Sequence, residues 1–292
     1  MAEQQWLADR FEEHRPRLRA VAYRMLGSLA EADDAVQDAW LRVSQADTSE
    51  VENLGGWLTT IVARVALNML RSRRRRDQQP LETRLPDPVV DAPDGIDPEN
   101  ETILADSVGL AMLVVLEALS PAERLAFVLH DMFAVSFDEI AAIVDRSPEA
   151  TRQLASRARR RVQGTAVVPD TDLETQWRVV DAFTAAARQG DFEALVAVLD
   201  PDVVLRADGG LTGLSHHARG AAAVAGQATM WAQADLSLRR ALVNGAAGMI
   251  AERNGKTFSV GAFTISSGRI VELDILVDPD RIARLALEDH QE

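Results

Sequence analysis

Cysteine is absent from all 292 residues, which excludes disulfides and thiolate metal sites. No apolar run approaches the roughly 20 residues that cross a bilayer, and the N-terminus lacks the basic-then-apolar order of a secretion signal. A cytoplasmic protein with no membrane contact is therefore expected. Lysine is nearly absent, since Lys256 stands alone and the other basic side chains are arginines, and with the high alanine content this suggests a GC-rich genome. Positive charge is in deficit overall, with 31 basic residues against 45 acidic ones and a net charge of −14. That balance argues against nucleic acid until its distribution is read. Residues 77–101 carry Asp77, Glu82, Asp87, Asp91, Asp94, Asp97, Glu99 and Glu101 against Arg84, and the chain from Asp170 onward is acidic again. The remaining stretches are close to balanced with their arginines clustered, and local patches govern nucleic-acid contact more than totals do.

The densest of those clusters closes SFDEIAAIVDRSPEATRQLASRARRRV, Ser136 to Val162. Ser136 and Glu139 have capping-box spacing, and Ile140, Ala141 and Val144 give one apolar stripe. Asp145-Arg146 makes a turn, Ser147 is a suitable N-cap, and Pro148 fits the first helical position. Ala150, Leu154, Ala158 and Val162 hold the inner face of the second helix, while Arg152, Arg157, Arg159, Arg160 and Arg161 face outward. The segment is a helix-turn-helix whose second helix suits a DNA major groove and whose arginines suit phosphates.

Periodicity divides the rest into blocks. Residues 1–76 are helical: Phe11, Leu18, Val21, Ala22, Met25 and Leu26 form one stripe. Ser28 and Glu31 form a capping box for a second helix over 30–43, and a third starts at Trp57 after the polar loop Ser44 to Gly56. Leu58, Ile61, Val62, Val65 and Met69 are its buried face, and it runs into Arg71 to Arg76. Residues 77–101, rich in Pro and Asp, are expected to be a flexible acidic linker. Residues 102–169 are helical again, with a further capping box at Ser120, Pro121 and Glu123. Residues 170–292 change character: two helices, a strand at 203–207, a helix at 220–233, strands at 236–243, 249–253, 257–266 and 269–277, and a closing helix at 279–288. Asn254-Gly255 and Ser267-Gly268 are hairpin turns, so this block is α+β, a curved sheet over helices.

Three stretches carry a resemblance: YRMLGSLAEADDAVQDAWLRV (23–43), GGWLTTIVARVALNMLRSRRRR (55–76) and LSPAERLAFVLHDMFAVSFDEIAAIVDRSPEATRQLASRARRR (119–161). In order and spacing they resemble regions 2 and 4 of extracytoplasmic-function (ECF) sigma factors. The last block resembles the SnoaL-like, cone-shaped α+β barrel that the SigJ-like subgroup carries. That subgroup's linker and barrel motifs correspond to RLPDP (84–88), DGGLT (208–212) and DPDRI (278–282) here, each with altered wording.

The resemblance implies that Asp33, Asp34, Gln37, Asp38 and Trp40 dock on core RNA polymerase. It implies that the third helix reads the promoter minus-ten element through Arg64, Asn68 and Arg71, which share one face, with Arg73, Arg74, Arg75 and Arg76 on phosphates. In the recognition helix, Glu149, Arg152, Gln153 and Ser156 are placed to reach minus-thirty-five bases and Arg157, Arg159 and Arg160 to hold backbone. Asp208, Gly209, Gly210, Asp278, Pro279 and Asp280 belong to the regulatory motifs, Asp208 to Gly210 reading locally as a turn. His216, His217, Asp208 and Asp274 are the available acid/base candidates, but no convincing carboxylate pair stands out. Adjacent histidines diverge on any regular element, so no shared metal site is expected. No catalytic residue and no cofactor are expected either. The expectation is thus a promoter-specific initiation factor whose acidic C-terminal block contacts regions 2 and 4 and restrains them. The alternative is a DNA-binding regulator fused to a catalytic or ligand-sensing cyclase-like domain.

Overall fold

Caps and glycines set the boundaries of the helical half. In the computed structural model, described for residues 2–48, 51–76, 84–104, 109–165, 169–170, 172–210, 215–232, 236–285 and 287, helix α1 spans Ala2–Leu26 and stops where Gly27 takes φ +68. Helix α2, Leu29–Val43, is N-capped by Ser28, which accepts from the Glu31 N–H. The expected box is only half formed there, because the Glu31 carboxylate accepts from Arg73 instead of reaching back. Helix α3, Leu54–Arg76, begins earlier than Trp57, with Asn53 accepting from the Gly56 N–H. Further on come α4 (Pro98–Leu104), α5 (Leu110–Glu117) and α6 (Pro121–Phe127), the last with a complete Ser120–Glu123 capping box. A π-helical turn, Val128–Met132, leads to α7 (Phe137–Val144) and α8 (Pro148–Thr165). The Ser136–Glu139 box is complete, Asp145 ends α7 in the left-handed region at φ 58, and Ser147 accepts from the Ala150 N–H to start α8. The helix-turn-helix forms as its sequence indicates.

The chain divides into two units: Met1–Pro80 with Pro98–Asp106 and Val115–Thr165, and Leu81–Asp97 with Ser107–Val114 and Ala166–Glu292. In the first, α1 packs on α2, α3 and α4, and α6 packs on α8. Phe11, Leu18, Tyr23, Met25, Leu58 and Leu125 are fully buried there.

The second unit starts from a short strand, β1 (Val90–Asp91). Helices α9 (Leu173–Gln189) and α10 (Phe192–Val198) precede β2 (Leu199–Asp208) and β3 (His216–Arg219). Helix α11 (Ala221–Ala232) leads into the meander β4 (Ser237–Val243), β5 (Ala246–Arg253), β6 (Lys256–Ser266) and β7 (Arg269–Leu276), and α12 (Pro279–Arg284) follows. One seven-stranded sheet runs β1-β4-β5-β6-β7-β2-β3, with β2–β7 parallel and the other pairs antiparallel. Positive φ at Asn244-Gly245, Asn254-Gly255 and Ser267-Gly268 gives each hairpin the twist its strands need. Helices α9, α10 and α11 cover one face around Val180, Phe183, Leu195, Val224 and Phe263. Helical domains followed by an α+β domain is the expected class, but the sheet does not close into a barrel. It ends in β1 and β3, edge strands of two and four residues.

The stretch 84–91 departs most from expectation. Leu85 to Val89 and Asp91 are buried, and Val90 pairs with Val243 to add β1 to the sheet. Apolar residues sit between its prolines and aspartates, and acceptors elsewhere in the unit satisfy its backbone, so it is not a flexible linker. Residues 77–83 lie outside the described residues.

Candidate nucleic-acid interface

Helix α2 buries Ala32, Ala35, Val36, Ala39 and Val43 and exposes Asp33, Asp34, Gln37 and Asp38. Asp33 is paired with Arg19 at 2.7 Å. Trp40 turns toward the interior and meets the Phe11 ring at 5.0 Å between centroids, so its indole is a packing element. Leu41, 53% exposed, lies instead on the outer face beside Gln37 and Asp38. An apolar residue off the inner stripe was the overlooked signal.

Arg64, Asn68, Arg71, Arg74 and Arg75 are exposed along α3. The Arg64 guanidinium donates to the Ala142 carbonyl of α7 at 3.2 Å. Arg73 differs from its neighbours: it donates to the Leu26 carbonyl and to Glu31, lies 3.6 Å from Glu117, and is only 17% exposed. Its expected place on phosphate is not what this geometry offers; it clamps the α1–α2 corner. Nothing is described of the Arg76 side chain. The loop before α3 lines a cleft of about 610 Å³ through Val51 to Gly56, with Arg10, His14 and Arg17 on α1 and Phe133 to Val135 on the far wall.

On α8, Glu149, Arg152, Gln153, Ser156 and Arg160 form one exposed row, spaced by three and four residues. Arg152 lies over the Phe137 ring, 5.5 Å from its centroid. Arg157 and Arg159, both about half exposed, are paired within the unit: Arg157 donates to Glu123 at 3.1 Å, and Arg159 holds Asp131 through two nitrogens at 2.8 and 2.6 Å. Burial acts to raise the Glu123 carboxyl, but donors from Ser120 and Arg157 and the nearby Arg161 charge outweigh it and hold the group below its ordinary value. Arg157 and Arg159 thus already have carboxylate partners, whereas Arg152 and Arg160 are the cations of the exposed row.

The second unit brings the three altered motifs together. Asp208 accepts from the Leu85 N–H at 2.8 Å and from Arg281 at 2.7 Å, and Arg281 also donates to Asp87 and to the Leu85 carbonyl at 2.7 Å each. Gly210 donates back to Asp208 in the expected turn, at φ +70, where an added Cβ would lie 2.2 Å from the Asp278 carboxylate. Asp278 caps α12 through the Asp280 and Arg281 N–H groups, with Pro279 in the first turn. Leu85, Asp87 and Arg281 lie within the RLPDP and DPDRI motifs, but their pairing carries no signal in sequence until the fold joins positions almost 200 apart.

Of the acid/base candidates, Asp274 is gripped by Arg206 at 2.6 Å on the sheet face opposite the unit's cavity, with Glu272 also bound to Arg206. Burial pushes both carboxyls up, opposed by the arginine. His216 and His217 pair with Ala207 and Arg206, and so point to opposite faces. Among the described residues no group of three acidic or histidine side chains is arranged to hold a metal, and no helix is long and apolar enough to cross a membrane.

Residues 10–76 match Sigma-70 region 2 and residues 110–162 match Sigma-70 region 4. The ECF RNA polymerase sigma factor SigJ of Mycobacterium tuberculosis is 43% identical over 68% of this chain, a match spanning 64% of that protein. The probable ECF RNA polymerase sigma factor SigI of the same species is 30% identical over 94% of both chains. The chain belongs to the ECF RNA polymerase sigma factors. The crystal structure of M. tuberculosis SigJ matches 96% of this sigma factor and all of that chain at 33% identity with a TM-score of 0.76, so the likeness extends through the α+β unit. As a sigma factor the chain is an initiation factor rather than an enzyme.

Proposed function

We propose that this sigma factor binds core RNA polymerase through the outer face of α2 and directs it to promoters, with α3 at the minus-ten element and α8 at the minus-thirty-five element, in the cytoplasm. The exposed row Glu149-Arg152-Gln153-Ser156-Arg160 on a helix with a sharp, capped start carries the reading, since base edges are reached from the N-terminal turns of such a helix. Asp33, Asp34, Gln37, Asp38 and the exposed Leu41 supply the polymerase face, and Arg64, Asn68, Arg71, Arg74 and Arg75 the cationic face of α3. Arg64 gives one N–H to the Ala142 carbonyl of α7 and, being exposed, keeps its remaining donors for promoter DNA. The acidic C-terminal unit, through intramolecular contact with regions 2 and 4, sets how available those surfaces are.

Arg152→Ala is expected to weaken binding of the reconstituted holoenzyme to its promoter by about 1–3 kcal/mol and to relax preference at one minus-thirty-five position. Competition binding with promoters varied in that element is the measurement. An unchanged preference would remove Arg152 from base reading.

A further inference from the structure

The second unit is hollow. Between α9, α11 and the covered face of the sheet lies a cavity of about 870 Å³, a volume suited to a drug-sized ligand. Its sheet wall follows strand alternation, with Leu205 and Ala207, Met249 and Ala251, and Leu273 and Ile275 facing inward. The small side chains Ala207, Ala228 and Ala251 stand where larger ones would fill the space. Among the described residues no carboxylate lines it, so those residues supply no acid/base pair of the kind a cyclase or isomerase uses. Polar groups are few: Ser259 deep in the wall, Thr184 on α9, and His216 meeting Gln227 at one side. Arg188 lies at the exposed margin and donates to the Leu238 carbonyl, so it does not make the interior cationic. Such a lining selects an uncharged, largely apolar molecule with one or two hydrogen-bonding atoms.

The same strand ends serve two faces. Ala207 and Gly209 line the cavity, while Asp208 between them turns out to hold Leu85 and Arg281. Val277 and Pro279 line it as well, while Asp278 between them caps the helix that carries Arg281. An occupant packed on 207, 209, 277 and 279 therefore immobilises both arms of the clasp around Leu85–Asp87. We propose that this cavity binds an uncharged apolar small molecule and that occupancy tightens the hold on the 84–91 segment. A ligand that fits the ordered pocket shifts the population toward it. The proposal deepens the regulatory reading of this unit, yet both of its readouts are taken without DNA or polymerase, so failure of promoter binding leaves them standing.

The test is titration of the full-length protein with Nile red, an uncharged polycyclic dye, followed by hydrogen exchange of the 84–91 segment at saturation. Saturable one-to-one binding is expected, weakened at least tenfold in both Ala251→Phe and Met249→Trp, two variants whose folding is checked by thermal melting. The Leu85 amide, which donates to Asp208, should exchange several-fold more slowly in the dye-bound protein. Three results would overturn the proposal: no saturable binding, binding undiminished in whichever cavity-filled variants fold, or Leu85 exchange unchanged at saturation.

Discussion

Glu117→Ala is expected to lower the stability of the helical unit by about 3–5 kcal/mol, the range for removing one partner of a buried ion pair. Arg124 is the reason. Its side chain is 2% exposed, and its carboxylate partner at 2.9 Å is Glu117, itself 14% exposed. Burial depresses the Arg124 pKa and the Glu117 charge works against that, yet a guanidinium does not give up its proton in a protein. The Arg124 Nε donates to the Arg24 carbonyl of α1, and Arg73 from α3 lies 3.6 Å from Glu117. Glu117 therefore stands between two guanidiniums from separate parts of the unit, and removing it leaves Arg73 with Glu31 but takes the 2.9 Å carboxylate partner from the buried Arg124. Glu117→Gln keeps the shape and an acceptor and should lose less. Denaturant-dependent hydrogen exchange at the buried amides of α1 and α6 measures both; a loss below about 1 kcal/mol for the alanine variant would contradict this account of the core.

Arg281→Ala should release the segment 84–91 from the second unit. The arginine satisfies Asp87, Asp208 and the Leu85 carbonyl at once, and all three side chains at the junction are nearly buried. Without it, the Asp87 and Asp208 carboxylates and the Leu85 carbonyl each lose a charge-assisted bond at a nearly buried junction, a cost of about 3 kcal/mol or more. That corresponds to roughly 100-fold faster exchange of the Leu85 amide at about 1.4 kcal/mol per decade. Arg281→Lys retains the charge but not the planar fork that reaches three acceptors, so partial protection is expected. Exchange of 84–91 at the wild-type rate in the alanine variant would show that Val89 and β1, joined to Asn244 and Val243, hold the segment alone.

Local physics made much of this legible. The Ser120–Glu123 and Ser136–Glu139 boxes and the Asp145–Ser147 turn are written in adjacent residues, and so were read correctly. The Asn254-Gly255 and Ser267-Gly268 hairpins are equally plain, and Asn244-Gly245 is a third turn of the same type. What sequence hid is long-range pairing. Leu85 to Asp91 has a linker's composition, and only Asp208, Asn244 and Arg281, each more than 100 residues away, turn it into structure. Arginine roles were blurred for the same reason: Arg73 and Arg157 read like their neighbours until Glu31 and Glu123 claim them. The open edge of the sheet was invisible, because β1 and β3 are too short for alternation to register.

Transcription reconstituted from purified core RNA polymerase and a random-sequence promoter library tests the central claim most directly. The expected result is a set of transcripts that requires the added chain, shares one minus-ten and one minus-thirty-five sequence, and changes in yield when Arg281→Ala loosens the C-terminal unit. Transcripts that are absent, or that form equally without the chain, would contradict it.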